Sequence, residues 1–125
     1  MHHVLIVEDD ASIAQLLEFM MQREGYTVET CRDGRAAERR IAEGALPALV
    51  VMDVMLPYKD GFELIAVLRR QPGWGRVPVL MLSAKSHEPD IVRALEAGSN
   101  GYVVKPFQPQ EVMARVRQLI QQVHA

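Results

Sequence analysis

Leu49-Val50-Val51-Met52-Asp53 decides the fold: four consecutive apolar residues end on an aspartate, and Leu56-Pro57 with Gly61 turn the chain away behind it. A run this short and unbroken reads as a strand covered on both faces, as in a parallel sheet packed between helices. Comparable runs lie at Val4-Leu5-Ile6-Val7, Val79-Leu80-Met81-Leu82 and Tyr102-Val103-Val104. Thr27-Val28-Glu29-Thr30-Cys31 alternates polar and apolar residues and reads as an edge strand.

Helical patterns fill the intervals. Ile13, Leu16, Leu17 and Met20 recur at the spacing of a helix facing the sheet, as do Leu64, Ile65 and Leu68, and then Ile91, Ala94 and Leu95. Val112, Val116, Leu119, Ile120 and Val123 make the clearest stripe. The segment 33–43 is helical by composition, with Ala36, Ala37 and Ile41 as its apolar residues. Gly25, Gly44 and Gly98 stand where helices should stop. The sum is an α/β chain of (βα)₅ type: one domain over residues 1–125 with a doubly wound parallel sheet of expected strand order 2-1-3-4-5. Such sheets bind ligands at the carboxyl ends of their strands, beside the reversal in strand order, so reactive residues are expected just after strands 1, 3, 4 and 5.

Composition narrows the function. The chain has 14 basic and 16 acidic residues, a net charge of −2, which gives no general attraction to nucleic acid or to an anionic membrane. A single cysteine, Cys31, excludes an internal disulfide and a cysteine-based zinc site. No apolar run approaches the roughly 20 residues that span a bilayer. The start, Met1-His2-His3-Val4, lacks the basic and apolar regions of a signal peptide, and the protein reads as soluble and cytoplasmic.

The strand ends carry the chemistry. Glu8, Asp9 and Asp10 follow strand 1, Asp53 follows strand 3, Ser83 follows strand 4, and Lys105-Pro106 follows strand 5. Carboxylates crowded on adjacent strand ends repel one another unless a cation stands among them. An oxygen-only ligand set selects Mg²⁺ over zinc. Lys105 supplies a fixed positive charge opposite the acids, and the Ser83 hydroxyl can donate to a phosphoryl oxygen. These are the parts of phosphoryl transfer, in which a carboxylate nucleophile forms an acyl phosphate and the protein positions and neutralises charge. Asp53, at the centre, is the expected nucleophile. Asp10 reads as the cap of the first helix.

Val7-Glu8-Asp9-Asp10, Met52-Asp53-Val54-Met55-Leu56-Pro57 with Asp60-Gly61, Leu82-Ser83-Ala84 and Val104-Lys105-Pro106-Phe107 together resemble the receiver domains of two-component systems, the CheY-like response regulators of flavodoxin-like fold. The resemblance covers essentially the whole chain. It implies that Asp53 accepts phosphate from a histidine kinase, a histidine phosphotransfer protein or a small acyl phosphate. It implies Mg²⁺ held by Asp9, Asp53 and the main-chain carbonyl of Met55, with Glu8 acting through water. Lys105 is expected to pair with Asp53 and later with the phosphoryl group, and its bond to Pro106 is expected to be cis. Ser83 and the backbone NH of Ala84 are expected to contact the phosphoryl group, and Tyr102 to turn inward. The face of the fourth helix, fifth strand and fifth helix then changes shape for a partner, an output or a homodimer. Such a domain catalyses only its own phosphorylation and dephosphorylation, and does not itself bind DNA or membrane.

Departures from the family pattern matter. Asn100 and Gly101 stand where winged-helix members of the family carry acids, and Ile91 where they carry a basic residue, which weakens symmetric pairing through that face. Met55 and Lys85 occupy the positions that tune attack by water, and neither orients a water. The rival reading is a Mg²⁺-dependent aspartyl-nucleophile phosphatase, which places a second aspartate two residues after the nucleophile; here that residue is Met55. A flavodoxin-like cofactor carrier would need a Ser, Thr and Gly-rich loop after strand 1, where this chain has acids. Arg32, Arg35, Arg39 and Arg40, interleaved with Asp33, Glu38 and Glu43, read as a solvated helix face, and Trp74 as a cover at the core edge without a function.

Overall fold

The computed structural model describes residues 2–124. Five strands, β1 (His3–Val7), β2 (Thr27–Cys31), β3 (Leu49–Asp53), β4 (Val79–Ser83) and β5 (Gly101–Val104), alternate with α1 (Ala11–Arg23), α2 (Gly34–Ala42), α3 (Gly61–Arg70), α4 (Glu88–Glu96) and α5 (Pro109–His124). All strand pairs are parallel, in the order β2-β1-β3-β4-β5 read from the sequence.

The unbroken apolar strands divide between two cores because successive side chains point to opposite faces. Leu5, Val7, Val50, Met52, Val79 and Met81 meet Ala37 and Ile41 of α2, Phe62 to Leu68 of α3 and Ala94 of α4. Val4, Ile6, Leu49, Val51, Leu80 and Leu82 meet Leu17 and Met21 of α1 and Val112 to Ile120 of α5. Each fully buried aliphatic side chain contributes about 1.5–3 kcal/mol relative to exposure, so β1, β3 and β4 anchor the sheet. The polar alternation of β2 fits its place at the edge, where only Cys31 is buried.

Three carboxylates are consumed as helix caps. Asp10 accepts from the Ser12 and Ile13 amides, Asp33 from Ala36, and Asp60 closes a capping box with Glu63. Asp10 therefore does the structural task expected of it.

Several packing expectations are corrected. The buried line of α1 is Ala14, Leu17 and Met21; Leu16 is exposed, and Ile13 and Met20 are half-buried. The small Ala14 lets the helix approach the sheet on a line rotated from the one the larger residues mark. On α4 only Ala94 is buried, and Leu95 faces outward. Val123 is exposed. Trp74 is fully buried within the core rather than at its edge, with Arg40 5.9 Å above its ring. Arg40 is buried as well, paired with Glu29 at 2.9 Å and donating to the Ala45 carbonyl, so the arginine cluster is not one solvated face.

Candidate functional site

Strand register brings the expected site residues level with one another. Val7 lies beside Met52, Asp53 beside Leu82, and Ser83 beside Val104. The residues that close or follow these strands, Glu8, Asp53, Ser83 and Lys105, thus meet at one end of the sheet. Lys105 Nζ sits 2.9 Å from Asp53 Oδ2 and 2.8 Å from Glu8 Oε1. Glu8 Oε2 accepts from the Asp10 amide, and Asp53 Oδ1 from the Met55 amide.

Glu8 and Asp53 are buried, whereas Asp9 is exposed at the mouth. Burial pushes the Glu8 carboxyl up to about 7; the Lys105 hydrogen bond and the Asp10 amide oppose this, and the nearby Asp53 charge adds to it. Burial alone would lower Lys105, but its hydrogen bonds to Glu8 and Asp53 outweigh that and hold the ammonium above its ordinary value. The lysine is therefore a permanent cation between two buried acids.

Carboxylate oxygens of Glu8, Asp9 and Asp53 lie within 4.8 Å of one another. Three hard oxygen donors, one of them open to solvent, suit a divalent ion of the Mg²⁺ type, and this set offers no nitrogen or sulfur that would favour zinc. The residues present therefore fit magnesium.

Around this centre, Ser83 is fully buried, and its Oγ accepts from the Lys85 amide. Ala84 is exposed at the mouth of the β4–α4 loop. Tyr102 is half-buried, and its hydroxyl donates to the Lys85 carbonyl at 2.8 Å, tying β5 to that loop. Met55 is exposed beside the nucleophile candidate. The Lys105–Pro106 bond is cis. Asn100 is exposed, yet its Oδ1 accepts from Arg69 and from the Val79 amide, so it is engaged within the chain. A Cβ at Gly101 would stand 2.9 Å from Leu80 Cδ1, which accounts for glycine there.

Sequence reasoning missed Arg32. It precedes α2, and its guanidinium donates to the backbone carbonyls of Glu8 and Asp9. No periodicity marks a side chain that reaches back to another loop's main chain.

Comparison with known proteins agrees with this geometry. The response regulator receiver domain matches residues 4–117. The alkaline phosphatase synthesis transcriptional regulatory protein PhoP of Bacillus subtilis is 45% identical over 94% of this chain and 48% of its own length. A response regulator from Chloroflexus aurantiacus superposes with a TM-score of 0.89 at 37% identity, covering 96% of this chain and 98% of that one. The receiver domain of a sensor histidine kinase from Pseudomonas aeruginosa, which holds a magnesium ion in its active-site cleft, gives 0.86 at 32% identity over 96% and 98%. The fold and its acidic strand ends define a CheY-like, flavodoxin-type α/β architecture. The chain belongs to the response regulator receiver domain family of two-component systems. It spans about half the length of the curated relatives it matches. The phosphatase reading finds no support among them.

Proposed function

We propose that this receiver domain, residues 1–125, works as a phosphorylation switch whose acceptor is Asp53. An Asp53 carboxylate oxygen attacks the phosphorus of a phosphohistidine on a histidine kinase or histidine phosphotransfer protein. The donor N–P bond breaks, the imidazole nitrogen leaves with its electron pair and takes a proton, and an aspartyl phosphate remains. A small acyl phosphate serves as donor in the same way, with its O–P bond breaking. The observation that carries this reading is the 2.9 Å contact of Asp53 Oδ2 with Lys105 inside a cluster of three carboxylates.

Asp9, Asp53 and the Met55 carbonyl are the residues to hold Mg²⁺, with Glu8 acting through water. When bound, that ion neutralises the carboxylates and the phosphoryl oxygens. Lys105 exchanges its contact with Asp53 for one with the phosphoryl group. The Ser83 hydroxyl and the Ala84 amide donate to its remaining oxygens. Ser83 moves toward the phosphoryl group as it donates, and because its Oγ also accepts from the Lys85 amide it draws on the loop to which Tyr102 is tied and lets the ring turn inward. The α4–β5–α5 face changes with it and controls a partner, an output or a homodimer. Water attacking the phosphorus later restores the carboxylate, so the domain catalyses only its own modification. We place it in the cytoplasm, and assign any DNA contact in a longer protein to a separate output domain.

Incubation with acetyl phosphate and Mg²⁺ tests this reading. Wild-type protein gains the mass of one phosphoryl group, and Asp53→Asn does not. Equal labelling of the two, or labelling undiminished by EDTA, would overturn it.

A further inference from the structure

The corner where β2 passes into α2 touches both loops that bear the proposed metal ligands. Glu8 N donates to Cys31 O at 3.0 Å, the last backbone bond between β1 and β2. Immediately beyond it, Arg32 extends the pairing with its side chain: Nε donates to Glu8 O at 3.0 Å and Nη2 to Asp9 O at 2.8 Å. One planar guanidinium thus grips two successive carbonyls, a geometry a lysine ammonium does not reproduce. Two residues on, the Gly34 amide donates to Pro57 O in the loop that follows Asp53. That loop lies so close that a Cβ at Gly34 would stand 2.2 Å from Lys59 O. Arg35 stacks 4.1 Å over the ring of Tyr58, which holds a positive φ of 72°. Lys59 closes the contact with a 2.8 Å ion pair to Glu38.

Arg32 is exposed and belongs to neither core, so packing gives no reason for its fork. What the fork fixes is the backbone of Glu8 and Asp9. We infer that Arg32 is a positioning residue for magnesium: it locks the loop carrying two of the three carboxylates against a corner that also holds the Asp53 loop. This rests on the magnesium site proposed above. Its positive charge opposes the cation, but an exposed guanidinium is screened by water and salt, so the gain in loop order outweighs the repulsion.

Titration calorimetry with MgCl₂ on wild type, Arg32→Ala and Arg32→Lys separates the two effects. Loss of groups that orient a metal ligand weakens binding by about tenfold or more, and both variants should show a Kd raised to that degree. With acetyl phosphate, the Mg²⁺ midpoint of labelling should rise in parallel, while the rate at saturating Mg²⁺ stays near wild type. Arg32→Ala binding Mg²⁺ as tightly as wild type, or tighter, overturns the inference. So does Arg32→Lys at wild-type affinity, which would show that charge suffices, and so does a slower saturated rate with an unmoved midpoint. Wild type failing to bind Mg²⁺ would instead strike the proposed site itself.

Discussion

Lys105 Nζ stands 2.9 Å from Asp53 Oδ2, and the lysine reaches it from the edge strand β5, across the end of β4. The same ammonium binds Glu8, so one cation holds two buried acids in place. Removing one partner of a buried ion pair leaves uncompensated charge and costs about 3–5 kcal/mol. Lys105→Met should lose stability of that order in urea unfolding with EDTA present, and added Mg²⁺ should recover part of it. An unchanged midpoint in EDTA would contradict the role of Lys105 as the internal counter-ion.

The aspartyl phosphate should be long-lived. Met55, exposed beside Asp53, offers no oxygen or amide side chain to orient an attacking water, and the half-buried Lys85 carries a long side chain on the neighbouring loop. Loss of label after removal of the donor should be slow for the family, and Met55→Asn should hasten it severalfold. Rapid decay in the wild type would refute this.

Gly34 is set by space rather than by backbone angle. A methyl group there meets the Lys59 carbonyl at 2.2 Å, and the loop must shift to admit it. Overpacking of this kind costs about 1–3 kcal/mol, so Gly34→Ala should lower the thermal midpoint. Because that loop follows Asp53, labelling by acetyl phosphate should also slow. Wild-type behaviour in both assays would show that the loop contact is dispensable.

Cys31 gives a pH signature independent of the site. Burial, aided by the Glu29 charge, pushes its thiol from 9.0 up to about 11. A folded value raised above the unfolded one contributes stability that is whole below pH 9 and is lost as the pH climbs through 11. A thiol-specific reagent at pH 8 should therefore react slowly with native protein and quickly after unfolding. Equal rates would place Cys31 at the surface.

Trp74 buries an indole whose Nε1 donor has no hydrogen-bond partner among the described residues. Trp74→Ala should cost about 3–5 kcal/mol for the cavity. Trp74→Phe deletes the unsatisfied donor along with some area, and the two effects offset, leaving a cost of about 1.5 kcal/mol or less. Similar losses for the two variants in urea unfolding would contradict this assignment.

The sheet was legible because β1, β3 and β4 are buried on both faces, and burial leaves an unbroken apolar run. Glu8, Asp53, Ser83 and Lys105 were legible because strand ends in this topology converge. The buried line of α1 was not, since periodicity weighs Leu16 above Ala14 while close packing favours the smaller residue. Arg32 and Arg40 read as surface charges because a sequence does not reveal which carbonyl or carboxylate a long side chain will reach. Trp74 looked peripheral between two glycines, yet the turn they form folds the ring into the core.

Borohydride trapping tests the acceptor most directly, since it reduces an acyl phosphate on aspartate to homoserine. After acetyl phosphate and Mg²⁺, peptide mapping should find homoserine at position 53 and nowhere else, and none when the donor is withheld. Homoserine at another aspartate, or phosphoryl label that survives borohydride unchanged, would contradict Asp53 as the seat of the switch.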